Sequence, residues 1–74
     1  MTLAEKRREI LHKHWRAILK IESAEPNQNF FQLGGDSLAA MELIARVHAE
    51  SGWELPMETL FTTGTLADLE DAPA

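Results

Sequence analysis

The sequence predicts an all-α fold, a small bundle of four helices, and three observations predict it. Apolar residues recur every three to four positions in two long segments. Cap residues stand where those segments begin and end, with Thr2, Asp36 and Thr65 as starts and Gly52 as a stop. No stretch alternates apolar and polar residues as a half-buried strand would, and no internal repeat is visible. The 74 residues fit one domain spanning 1–74. A chain of this length buries roughly 60% of the surface its unfolded form exposes, so its core is small. A self-contained enzyme with a deep pocket is a poor fit to that size.

The first helix opens on a capping box. The Thr2 hydroxyl accepts from a free amide while Glu5 reaches back toward the cap. Leu3, Ile10, Leu11, Trp15, Ile18 and Leu19 supply its apolar positions, and the helix is expected to end near Ile21 with Lys20 in its last turn. Residues 22–36 form a long loop. Ser23, Pro26, Asn27 and Asn29 are turn formers, while Phe30, Phe31 and Leu33 pin the loop to the core. Gly34 and Gly35 free the backbone for a sharp turn into the second helix.

Asp36 is the expected N-cap of that helix, with Ser37 in its first turn. Leu38, Met41, Ile44, Ala45, Val47 and His48 recur at helical spacing, and Ser51-Gly52 closes the element. Trp53-Glu54-Leu55 is a short extended link. Pro56 suits the first position of a third helix running from Met57 to Phe61, because it lacks the amide that would go unpaired there. Thr65 and Asp68 repeat the capping logic for a short fourth helix through Leu66, Ala67 and Leu69, and Pro73 stops it. Trp15 and Trp53 are read as packing residues.

Charge divides the chain. Residues 1–20 carry Lys6, Arg7, Arg8, Lys13, Arg16 and Lys20 against Glu5 and Glu9, a net of +4. Residues 21–74 carry Arg46 against ten carboxylates, a net of −9, so the whole chain stands at −5. Most of the molecule would repel phosphate, which argues against nucleic acid and for a protein partner with a basic docking surface. The basic first helix is a solvated face. With no cysteine, disulfides, thiolate metal sites and a cysteine nucleophile are excluded. His12 and His14 lack the i, i+4 spacing of a helical metal pair, and His48 is a surface or interface position. The first 20 residues lack the apolar run of a signal peptide or a membrane span, so a cytoplasmic protein is expected.

The segment Phe30-Phe-Gln-Leu-Gly-Gly-Asp-Ser-Leu38 resembles the modification motif of carrier proteins of nonribosomal peptide and polyketide synthesis, most closely the peptidyl carriers. Glu54-Leu-Pro56 and Leu60-Phe61 agree with the same pattern, and the resemblance covers nearly the whole chain. It implies a phosphopantetheine arm, taken from coenzyme A, on Ser37, with Asp36 and Gly35 beside it. The fold it implies is a four-helix carrier bundle, three main helices plus one short helix. The chain would hold an aminoacyl or acyl group as a thioester and would itself be no enzyme. Implied partners are a phosphopantetheinyl transferase, an adenylation enzyme, and condensation, tailoring or thioesterase enzymes. They would meet a monomer at Leu38, Met41, Glu42, Met57, Leu60 and Phe61. Asp36 replaces the histidine that many peptidyl carriers have before the serine, so an acyl or aryl carrier stays open. Gly64-Thr65 replaces a common Pro-Thr, which is expected to loosen the link to the last helix. A start at Met1 suits a free-standing carrier and equally a domain excised from a synthetase.

Two other readings compete. A serine after a capping aspartate is often only a good helix start, which would leave an acidic helical interaction domain. Gly35-Asp-Ser-Leu38 also matches a short signature of serine esterases. That chemistry needs a histidine base and an orienting acid, and none of the three histidines follows an aspartate by three positions. Nor does the serine lie in a Gly-x-Ser-x-Gly elbow, since Ala39 takes the place of the second glycine.

Overall fold

A computed structural model describes residues 2–71 and contains four helices. They are α1 (Leu3–Leu19), α2 (Ser37–Ser51), α3 (Met57–Thr62) and α4 (Leu66–Asp71). The expected stop at Pro73 lies outside the described residues. Thr2 caps α1 as expected: its Oγ1 accepts from the Glu5 amide at 3.1 Å, while the Glu5 carboxylate reaches back to the cap by accepting from the same hydroxyl at 3.0 Å. α1 ends at Leu19, slightly earlier than expected, because Lys20 adopts a left-handed conformation at φ +58°. Its amide bonds back to the Arg16 carbonyl and closes the last turn.

One core joins all four helices. Leu11 and Trp15 from α1, Phe30 from the loop, Leu43 and Val47 from α2, Leu60 from α3, and Leu66 and Leu69 from α4 are fully buried. Trp53 and Leu55, in the link between α2 and α3, are buried on either side of exposed Glu54. The Arg7 guanidinium lies 5.4 Å from the centre of the Trp53 ring.

Four expectations need correcting. Leu3 is 63% exposed, since the core begins a full two turns further along α1. Leu33 is also exposed, so only Phe30 and Phe31 of the three loop residues reach the interior. The buried stripe of α2 is Ala40, Leu43 and Val47, whereas Leu38, Met41 and Ala45 lie on the exposed side. The helix carries two apolar stripes, and periodicity alone cannot say which one faces inward. Pro56 is the N-cap of α3 rather than its first helical residue, with ψ at 101° and its carbonyl accepting from the Leu60 amide.

The first helix is more than a solvated face. Lys13 and His14 both reach Glu50 at the end of α2, at 2.7 and 2.9 Å, and His12 bonds to Glu70 of α4. The basic helix thus answers carboxylates on two others. The hydrogen bond from Lys13, and after it that from His14, holds the Glu50 carboxyl below its ordinary value of 4.5. A depressed carboxyl stabilises the fold above its unfolded-state value and loses that contribution as pH falls through the folded-state value. Glu50→Gln should therefore lower the melting temperature near neutral pH. The gap to the wild type should close as the pH drops below 4.5, which thermal melts across an acid series would check.

No described helix is long and apolar enough to cross a membrane.

Candidate functional site

Seven residues ahead of Ser37, the chain begins to fold back on itself. Leu33 N–H donates to the Asn29 carbonyl, Gly34 N–H to that of Phe31 and Gly35 N–H to that of Phe30. Gly34 sits at φ +99°, a conformation that costs other residues strain. At Gly35 the constraint is space. A Cβ there would stand 2.4 Å from the Phe30 ring and 2.8 Å from the Phe30 carbonyl oxygen. The resemblance places Gly35 beside the arm, where it would leave room for an enzyme to approach. In the structure its bare backbone makes room for a core phenylalanine, so the tight turn into α2 and the interior share one contact.

That turn delivers Asp36 as the N-cap of α2. Its Oδ1 accepts from the Ala39 amide at 2.8 Å, and its carbonyl accepts from the Ala40 amide. Ser37 follows as the first helical residue, and it is exposed. The amides that open a helix have no acceptors within it, and the macrodipole adds a partial positive charge. A phosphate ester on the Ser37 hydroxyl would sit in that field without burying its own charge. The residues present therefore fit a phosphorylated prosthetic group. Its arm would extend from the surface and would need no cavity.

A row of exposed apolar side chains continues from the serine. Leu38 is 80% exposed, and Met41 follows one turn on at 47%. On α3, Met57 and Phe61 are 48% and 40% exposed. The Phe61 ring packs 5.6 Å from that of Phe31, and Phe31 stands 5.5 Å from Phe30. Glu42 is exposed and accepts from Arg46 one turn later, at 2.6 Å. Leu60 belongs with none of these. It is fully buried in the core, so its expected place on a docking surface is withdrawn. The pair Leu60-Phe61 splits because adjacent helical residues point about 100° apart.

One side chain that sequence reasoning passed over as a turn former is Asn29. Its Oδ1 accepts from the amides of Phe31 and Gln32 at 2.9 and 3.1 Å, and its Nδ2 donates to the Thr63 carbonyl at 2.8 Å. The habit of asparagine to bond amides two and three positions ahead was the available signal. The bond to Thr63 had none. The link at Gly64-Thr65 is hydrogen-bonded to the loop before α2. The carbonyl of Gly64 accepts from Phe30, and the amides of Leu66 and Ala67 donate to Gln28 and Pro26.

Residues 9–72 match the family model for the phosphopantetheine attachment site. The chain is 43% identical, over 60 residues, to part of a linear gramicidin synthase protein of Brevibacillus parabrevis. The matched stretch is 81% of this chain and 1% of that synthase. Among solved structures it resembles BlmI, a type-II acyl carrier protein from Streptomyces verticillus involved in bleomycin biosynthesis. The TM-score is 0.76 at 28% identity, over 92% of this chain and 82% of that one. It also resembles a chain in the complex of the phosphopantetheine transferase Sfp with coenzyme A and a peptidyl carrier protein. There the TM-score is 0.70 at 36% identity, over 95% and 86% of the two chains.

Proposed function

Because this chain belongs to the phosphopantetheine-attachment family, we propose that it is a peptidyl carrier whose arm is joined to Ser37. The observation that carries the assignment to this serine is its position: exposed, first in α2, behind an aspartate cap. Once attached, the arm supplies a terminal thiol that holds an aminoacyl or acyl group as a thioester. The protein's part is to present Ser37 at a helix start and to hold two apolar faces beside it. On this reading the transferase activates the hydroxyl and an adenylating enzyme the acid. Condensation, tailoring or thioesterase enzymes would then receive the cargo. We expect it to act in the cytoplasm as a monomer.

Leu38, Met41 and Glu42 on α2, with Met57 and Phe61 on α3, form the proposed docking surface. Exposed apolar side chains next to a modification site suit transient contact, and methionine adapts to varied partners. The surrounding carboxylates suit basic partners. Partner complexes should be short-lived, since a shuttle must leave each enzyme. The likeness to BlmI keeps an acyl cargo as a second reading, which loading with a panel of adenylating enzymes and acids would separate from an aminoacyl one.

Intact mass after incubation with coenzyme A, Mg²⁺ and a broad-specificity transferase tests the central claim. The wild type should gain one phosphopantetheinyl group and Ser37→Ala none. No gain on the wild type, or an equal gain on the variant, would overturn it. Leu38→Ala and Met41→Ala should each slow priming or loading by roughly three- to tenfold with an unchanged melting temperature, as loss of an exposed interface contact does. Wild-type rates in both would remove these side chains from the docking surface.

A further inference from the structure

We propose that Asn29 is a positioning residue for the modification of Ser37. Its carboxamide, beside the backbone bond from the Phe30 amide to the Gly64 carbonyl, ties the turn that leads to the serine to the end of α3. The inference rests on the reading of Ser37 as the attachment site.

The two ends of the carboxamide do different work. Oδ1 accepts from the Phe31 and Gln32 amides and shapes the turn that runs on to Gly35, Asp36 and Ser37. Nδ2 donates to the carbonyl of Thr63, the C-cap of α3. The amide of Phe31 that Oδ1 holds belongs to the residue whose ring packs on Phe61. An enzyme that reads Ser37 on α2 together with Met57 and Phe61 on α3 needs those groups at a fixed separation. Asn29 ties the turn before α2 to the C-cap of α3, although it lies eight residues before the serine.

The sequence at position 64 fits the brace. Gly64 is left-handed at φ +68°, and a Cβ there would come within 3.1 Å of Asn29 Nδ2 and 3.2 Å of the Leu60 carbonyl oxygen. Glycine leaves the carboxamide the room it occupies. Proline, whose ring holds φ near about −65°, cannot take this conformation. In this chain Gly64-Thr65 stands in a turn that Asn29 ties down.

Aspartate separates this role from simple loss of fold. Asn29→Asp keeps both acceptor bonds within the turn, loses the donor to Thr63 and sets a carboxylate against that carbonyl. The test is steady-state priming of the whole chain with coenzyme A, Mg²⁺ and a broad-specificity transferase. Wild type, Asn29→Asp and Asn29→Ala are compared, with circular dichroism at the assay temperature. For Asn29→Asp, KM for the carrier should rise roughly fivefold while kcat stays within about twofold and helix content is native. Amide exchange at Leu66 should quicken in the same variant. An unchanged KM in both variants overturns the proposal. So does a loss of rate that merely tracks the unfolded fraction. If the wild type is not primed at all, the attachment reading itself fails, which is a different result.

Discussion

Trp15→Ala should leave this protein mostly unfolded at physiological temperature. The side chain is fully buried, and removing a large aromatic from a packed core costs about 3–5 kcal/mol. A chain of this size holds only about 0.05–0.15 kcal/mol per residue, so one substitution removes much of the total. The loss is more than volume. The Trp15 indole N–H donates to Gln28 Oε1 at 2.9 Å, and the ring meets Phe30 edge-on at 5.4 Å. The same Gln28 oxygen accepts from the Glu25 amide, and its Nε2 donates to the Ser23 carbonyl. Trp15 therefore ties α1 to both halves of the 22–36 loop. Trp15→Phe keeps a ring but no donor, and should cost about 1 kcal/mol for the lost hydrogen bond plus the missing volume. Urea denaturation followed by circular dichroism would rank the three proteins. Near-equal midpoints for Trp15→Ala and wild type would contradict this account of the core.

Gly35→Ala should be the most crowded of the glycine-to-alanine substitutions. The added carbon meets the Phe30 ring at 2.4 Å and the Phe30 carbonyl oxygen at 2.8 Å, and a backbone oxygen has little freedom to retreat. Overpacking of this kind costs about 1–3 kcal/mol. The displaced segment also carries the Asp36 cap and Ser37, so priming should fall further than stability does. The expected pattern is a lowered denaturation midpoint with a transferase rate reduced by about tenfold or more under conditions where the variant is still folded. Gly34→Ala is the control. Nothing lies within 4 Å of a Cβ there, and its cost is the strain of φ +99° alone. Similar priming rates for Gly35→Ala and wild type would show that the turn is not coupled to the core.

The helices and their caps are legible in the sequence, because the signals are local. Thr2 with Glu5, Asp36 ahead of Ser37, and Gly52 after Ser51 act on amides and carbonyls within one turn. The segment that carries the family resemblance is legible too, since its residues are contiguous from Phe30 to Leu38. The inward side of α2 is not. Leu38 and Met41 make as good an apolar row as Ala40, Leu43 and Val47, and only the packing of the rest of the core decides which is covered. The same holds for Leu60 and Phe61, adjacent in sequence and divided between core and surface.

Fold class, element order and the proposed attachment serine are legible in the sequence, because each rests on neighbours in the chain. Tertiary structure decided which apolar residues face a partner, what the basic residues of α1 are for, and why Gly35, Gly64 and Asn29 are what they are. Lys13 finds Glu50, Gly35 yields to Phe30, and Asn29 reaches Thr63, each through contacts that no local pattern predicts. The physical reason is that caps are satisfied by nearby backbone, whereas burial and cross-braces depend on which surfaces the folded chain brings together.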